Sequence, residues 1–319
     1  MKVGFLGVAH MHAHGYASAL RAHTEVSEVL VWDVVVQRAQ SFASKHGFSV
    51  STSPENLCTE SDAVIITSCN VEHMEALEWA HHFGKPALCE KPIIALESHR
   101  DRLLALISNN AKIMTAFPCR YSLAFQRALT RVRAGDIGEI TAICATNRGR
   151  CPHDWFVQKA LSGGGAMIDH VVHVADLLNV LLGEEPKLVV AQVGNNMYGE
   201  TWEDTAMLSL GYESGVFVTL DSSWSRPSNY KTWGDVTMNI VGEKGVIEVD
   251  LFGQQFESYG DRMGVVGFGA DLDAMLVNDF LLFAQGKKEV PITAMDGYRA
   301  VDVALRAYAS VETGQPVTA

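Results

Sequence analysis

Lys2-Val3-Gly4-Phe5-Leu6-Gly7-Val8-Ala9-His10-Met11-His12 runs from an apolar stretch through a glycine into polar, helix-compatible sequence. The apolar run reads as a strand over residues 2–6, and the periodicity after it predicts a helix over about 12–22. The same unit recurs along the first third of the chain. Residues 29–33, 63–67, 85–89 and 112–116 read as strands, and 36–46, 72–83 and about 96–108 as helices. Ala63-Val64-Ile65-Ile66-Thr67 shows no polar alternation, so both faces of its strand are expected to be covered. Strand–helix alternation of this kind predicts a doubly wound parallel sheet, an α/β architecture.

Past Arg120 the pattern changes. A helix over 123–134 leads into long strand-like segments at 139–148, 187–195, 205–212, 216–223, 236–241 and 246–250. Glu213-Ser214-Gly215 and Glu243-Lys244-Gly245 join neighbouring strands directly, which predicts an open, mostly antiparallel sheet. Helices over 166–182 and about 294–312 complete this α+β half. Two domains are expected, 1–119 and 120–319.

The chain has 319 residues, of which 48% are hydrophobic and 19% charged, a globular composition. Its formal net charge of -12 and lack of any Lys/Arg run argue against nucleic acid or anionic lipid as a partner. The apolar stretches read as falling short of the ~20 residues a spanning helix needs, and the N-terminal run is too short for a signal-peptide core. Six scattered cysteines without a C-x-x-C pair fit reduced thiols and a cytoplasmic location.

The loop Gly7–His12 sits where a G-x-G-x-x-G/A dinucleotide fingerprint would sit. Gly7 supplies the tight turn, whereas Ala9 and His12 replace the second and third glycines. Asp33 ends the second strand and is placed to accept both hydroxyls of an adenosine ribose. Its charge opposes a 2′-phosphate, so NAD is favoured over NADP, with Arg38 partly offsetting that repulsion. The bland alternative for Asp33 is a helix N-cap, a role compatible with ribose binding.

Glu90-Lys91-Pro92 follows an apolar strand and lies at the carboxyl end where open α/β sheets bind ligands. Gly163-Gly164-Gly165 opens a helix on which Asp169 and His173, four apart, share one face. Such a pair can orient an imidazole as a general base; the bland alternative is a polar helix edge. His10, His12, His14, His170 and His173 do not read as convergent, and no acidic ligand is evident beside them, so no metal is expected. Trp155-Phe156 and Trp224 are packing or sugar-stacking aromatics.

Taken in order, these segments resemble the Gfo/Idh/MocA oxidoreductases, over almost the whole chain. Ser68-Cys69-Asn70-Val71-Glu72-His73, Gly84-Lys85-Pro86, Gly135-Asp136-Ile137-Gly138-Glu139 and Ala307-Tyr308-Ala309-Ser310 add to the likeness. The resemblance implies a Rossmann domain that binds NAD(P) and a C-terminal sheet through which copies pair as homodimers or homotetramers. It implies oxidation of a sugar or cyclitol hydroxyl. Lys91 matches the lysine that contacts substrate and nicotinamide, and Asp169 and His173 match the Asp-x-x-x-His pair. Gly7, Ala9, His10, Met11, His12, Asp33, Arg38, Ser68, Asn70, His73, Glu90 and Lys91 then border the cofactor. Arg148 and Trp155, with Lys91, Asp169 and His173, are expected at the substrate; Trp233 and Asp235 are further sheet positions near it. Two other functions share the fold: an NAD-retaining hydrolase or lyase, and a non-catalytic NAD-binding sensor.

Overall fold

In the computed structural model, which describes residues 1–230, 232–258, 264–267 and 269–319, Lys2–Val8 forms β1. It is followed by α1 (Ala13–Ala22), β2 (Glu28–Trp32), α2 (Val36–His46), β3 (Ser49–Val50), α3 (Pro54–Glu60), β4 (Ala63–Thr67), α4 (His73–His82), β5 (Ala87–Cys89), α5 (Arg100–Ser108) and β6 (Ile113–Thr115). The six strands pair in the order β3-β2-β1-β4-β5-β6, all parallel. All of β4 and nearly all of β1 are buried, as a sheet covered on both faces requires. Strand order reverses between β1 and β4. Their carboxyl ends open a crevice at this point, and the loops there carry Gly7 and Ser68.

Helix α1 buries Ala13, Tyr16, Ala17 and Leu20, and α2 buries Ala39, Phe42, Ala43 and His46. Both sets follow the i, i+3, i+4, i+7 stripe. Segments β3 and α3 were not anticipated from the sequence. A two-residue strand carries no periodicity, and α3 is short, started by Ser53, whose side chain accepts from Asn56 N at 3.1 Å.

The second half contains α6 (Leu123–Arg133), β7 (Ile140–Gly149), α7 (Lys159–Ser162), α8 (Ala166–Leu182), β8 (Leu188–Gly194), β9 (Thr205–Gly211), β10 (Phe217–Ser223), β11 (Gly234–Gly242), β12 (Gly245–Asp250), β13 (Gln255–Ser258) and β14 (Gly264–Gly267). It ends with α9 (Leu272–Ala284), α10 (Ala294–Thr313) and β15 (Val317–Thr318). Seven strands pair as β12-β11-β7-β10-β9-β8-β15. All neighbours are antiparallel except β7 and β10, which run parallel. Strands β9, β10 and β11 alternate buried and more exposed positions, so one sheet face is packed and the other is open. Helix α8 packs on the covered face. By length and apolar content the helical stretch Lys159–Leu182 passes as a membrane span, contrary to the sequence reading. However, 83% of its apolar window is buried inside the fold, so it reads as a core helix.

The chain forms two compact units. One comprises residues 1–118, 160–163 and 271–298, the other 119–159, 164–270 and 299–319. The expected division into 1–119 and 120–319 places a crossing near residue 119, but it omits two returns to the first unit. In the longer return, α9 packs on α1, with Asp271 capping α9 by accepting from Ala274 N at 2.9 Å. Ile292 O accepts from Thr115 N at 3.0 Å, fastening the end of this return to β6.

Candidate functional site

In the first unit the turn after β1 is held from several sides. Gly7 has φ +78°, and a Cβ there would sit 2.6 Å from Ser68 Cα, so the approach of the two loops requires glycine. Thr67 Oγ1 donates to Gly7 O at 2.6 Å, and His10 N donates to Thr67 O at 2.9 Å. Met11 is exposed at the tip. No side chain caps the N-terminus of α1 and its own first turn holds no acidic residue, although the Glu90 and Asp273 carboxylates lie against that turn.

Asp33 is buried at the end of β2. Its Oδ2 accepts from Val8 N and its Oδ1 from Val35 N, both at 2.8 Å. The Arg38 guanidinium bridges both oxygens at 3.0 and 3.2 Å. The carboxylate therefore already serves the backbone and an arginine. A ribose diol would have to share it, and the arginine side chain is the partner that can swing aside.

Glu90 is fully buried and anchors a polar cluster. It accepts from Tyr16 Oη, lies 3.1 Å from His12 Nδ1, and accepts from Lys91 N at 3.0 Å. Burial alone would raise its pKa, but His10 and His12 hold it far below the ordinary carboxylate range. Burial alone would lower His12, yet Glu90 raises it above the usual imidazole value. One atom each of His10, His12 and Glu90 lies within 4.8 Å of the others. This corrects the expectation that the loop histidines meet no acidic partner. The acid is 78 residues further along the chain from His12, which hid it from local spacing. His12 and Glu90 are hydrogen-bonded and His10 Nε2 stands 4.0 Å from the same carboxylate, so the cluster reads as a polar brace under Lys91.

The Lys91 side chain is buried, an unusual setting for an ammonium. His73 Nδ1 meets Pro92 O at 2.8 Å and steadies the same turn. Burial is the main reason that the His73 pKa lies below its ordinary value. Asn70 donates through Nδ2 to Ser162 O at 3.0 Å, while its buried Oδ1 has no partner among the described residues. That orphaned acceptor, together with the uncapped α1 terminus and the Asp33–Arg38 pair, fits a dinucleotide. Asn70 suits a carboxamide, the helix end a diphosphate, and Asp33 a ribose.

In the second unit, α8 carries Asp169, His170 and His173, all buried. Gly165 precedes the helix because Glu203 approaches it, with Glu203 Oε1 accepting from Gly165 N at 2.6 Å. The sequence pairs Asp169 with His173. The structure gives Asp169 Oδ2 to Trp224 Nε1, which donates at 3.1 Å, and to His170 Nε2 at 3.3 Å. His170 Nδ1 points at Asn147 O at 3.0 Å, and a carbonyl only accepts, so that nitrogen carries hydrogen. His173 Nδ1 faces Cys119 Sγ at 3.8 Å. On the same helix Asp176 takes a bidentate pair from Arg120 at 2.7 and 2.5 Å. The roles of His170 and Trp224 beside Asp169 were missed. His170 is a chain neighbour, off the helical face counted by fours, and Trp224 follows β10, 55 residues further along the chain.

Arg148, at the end of β7, lies 3.2 Å from Asp235 Oδ1, and Arg226 pairs with the same carboxylate. These contacts hold Asp235 below its ordinary pKa against the opposing effect of burial. Trp155 is buried and stacks on Phe156 with ring centroids 3.9 Å apart, so one face is already covered. Trp233 is 50% exposed.

Residues 1–117 match the model of the oxidoreductase family with an NAD-binding Rossmann fold, and residues 125–248 match the GFO/IDH/MocA C-terminal domain. The chain is 26% identical to inositol 2-dehydrogenase of Rhizobium meliloti (strain 1021), covering 78% of this chain and 76% of that protein. It is 24% identical to D-glucoside 3-dehydrogenase of Escherichia coli (strain K12), covering 99% and 97%. The crystal structure of GenD2 from gentamicin A biosynthesis, in complex with NAD, shares the fold with a TM-score of 0.89. That pair is 20% identical, over 100% of this chain and 96% of the other.

Proposed function

The chain belongs to the GFO/IDH/MocA family of NAD-binding oxidoreductases, and on that premise we propose that it is an NAD-dependent dehydrogenase of a sugar or cyclitol hydroxyl. The observation that carries this reading is the burial of Asp169, His170 and His173 on one core helix, where Asp176, the other buried acid, is neutralised by Arg120. Burying ionisable groups is costly, and a core helix has no structural need of three. When bound, the nicotinamide supplies the hydride acceptor. His173 accepts the proton of the reacting hydroxyl. Lys91 donates a hydrogen bond to the same oxygen and stabilises its developing negative charge. Asp169, oriented by the Trp224 indole and His170, sets the charge around the base.

Asp33 favours NAD by opposing a 2′-phosphate, and Arg38 reduces the margin. The open face of the second sheet exposes Met207 and Phe217, at 59% and 61%, and supports pairing of copies there. Purified protein mixed with NAD and a panel of sugars and cyclitols should produce NADH with at least one of them. If NAD stays bound, no net NADH appears and the sugar is cleaved, the transient-redox hydrolase or lyase reading replaces this one.

A further inference from the structure

We propose that Tyr198 and Trp202 form a stacking subsite for a second ring, so that the substrate is a glycoside rather than a free monosaccharide or cyclitol. This rests on the dehydrogenase reading and names the substrate class of that same site.

The residues lie on the loop between β8 and β9. That loop is built to a fixed shape by Asp204, whose side chain is fully buried. Its Oδ2 accepts from Met197 N and Tyr198 N, both at 2.9 Å, and its backbone carbonyl accepts from Trp224 N at 2.7 Å. One buried aspartate thus ties the outer end of the loop to the tryptophan that bonds Asp169. The rings continue the connection. Trp224 and Trp202 meet edge to face with centroids 5.5 Å apart, and Trp202 and Tyr198 follow at 5.3 Å. Tyr198 is 37% exposed and Trp202 half-buried.

An aromatic row therefore leads from the Asp169 carboxylate to solvent. Its inner member is spent on a hydrogen bond to the carboxylate. Its outer members remain partly accessible. Rigid, amphipathic Tyr and Trp give large contact area at low entropy cost, and the C–H faces of a pyranose or an aryl group suit them. His153 closes the far end, its ring edge-on to Tyr198 at 5.8 Å. Its backbone, at φ +55° and ψ -153°, lies in a region that non-glycine residues avoid, so neighbouring structure holds it there.

The test compares phenyl glycosides with the matching methyl glycosides of several hexoses, using the NAD-loaded full-length protein. Phenyl glycosides should show kcat/KM about tenfold above their methyl partners, mainly through KM. Trp202→Ala and Tyr198→Ala should remove most of that ratio, and Trp202→Phe should restore part of it. A ratio near one in the wild type, or variants that lower both classes equally, overturns the subsite. Should no sugar give NADH, the dehydrogenase reading fails, and the subsite is still read by titrating tryptophan fluorescence with 4-nitrophenyl glycosides. Quenching that weakens about tenfold in Tyr198→Ala and less in Trp202→Phe supports it; saturable quenching unchanged in both, or none, overturns it. A loop covered by a second copy would instead show up as protection of Tyr198 that vanishes on dilution, which also overturns it.

Discussion

Trp224 Nε1 donates to Asp169 Oδ2 at 3.1 Å, from a side chain with no exposed surface. A buried indole facing a carboxylate fixes which oxygen is occupied and stabilises the charged form. Trp224→Phe keeps most of the ring and loses the N–H. A hydrogen bond to a charged group is worth about 1.5–3 kcal/mol, so turnover should fall roughly tenfold to a hundredfold. NAD affinity, measured by calorimetry on the same preparation, should stay within about twofold. Unchanged turnover would mean that the bond only packs the helix.

His173→Asn and Lys91→Ala address the proton and the developing oxyanion separately. An imidazole must be neutral to accept the hydroxyl proton, and an ordinary histidine titrates near ~6.5. Wild-type kcat/KM should therefore decline on the acid side, and His173→Asn should flatten that limb and lower the rate. Lys91→Ala should reduce kcat and kcat/KM by similar factors, since its partner gains charge only in the transition state. A His173→Asn profile that keeps the wild-type limb and rate would place the base elsewhere.

The arginine bridge on Asp33 makes cofactor preference a two-residue property. Arg38→Ala should raise the ratio of NAD to NADP affinity, because it uncovers the carboxylate and removes the cation a 2′-phosphate would meet. Asp33→Ser should shift the ratio toward NADP by about tenfold or more. Titration of both cofactors against both variants checks the signs. A ratio that moves the same way in both variants contradicts the assignment.

Much of this arrangement was legible in the chain, and the gaps have physical causes. The parallel sheet was readable because apolar runs such as Ala63–Thr67 are buried on both faces and carry no competing pattern. The sheet of the second unit was readable from direct turns, but its β7–β10 pair is parallel, and pairing between distant strands leaves no local mark. Residues 271–298 were assigned to the wrong unit for a related reason. An apolar helix such as α9 shows that it is buried, but not against what. In the site, Lys91, Asp169 and His173 stood out as residue types at telling positions. Their supports did not. Glu90 meets His12 across 78 positions and Trp224 meets Asp169 across 55, distances that only the fold closes.

Gly7→Ala tests the switch-point turn. The substitution forces an L-residue to φ +78° and drives a methyl group against the Ser68 backbone. Strained backbone alone costs of order 1–3 kcal/mol, and the collision adds to it. The urea midpoint should drop accordingly, with NAD affinity falling further than stability alone accounts for. Gly47→Ala has φ +72° but open space around it, and serves as the comparison. Equal losses in the two variants would show that φ, and not the approach of Ser68, sets the requirement.

The His12–Glu90 pair makes a prediction about pH. The folded-state pKa of His12 lies above its unfolded value near ~6.5, so its contribution is full below that value and is lost as pH rises through the raised one. Glu90 is depressed, so its contribution is present above about 4.3 and is lost only as pH falls through its low folded value. Both contributions are full between about pH 4.5 and 6.5. In that window the pair contributes most, and toward pH 9 the His12 share disappears. His12→Asn keeps a polar group near the Nδ1 position and removes the titration. The difference in denaturation midpoint between wild type and His12→Asn should be largest near pH ~5.5 and shrink steadily as the solution is made alkaline. Glu90→Gln should show the same decline. It should be more destabilised throughout, because Tyr16 and the Lys91 amide also lose a charged acceptor. A midpoint difference that is flat from about pH 5 to 9, or that grows with pH, would mean that His12 is neutral in the folded protein and that the brace under Lys91 is held by neutral hydrogen bonds.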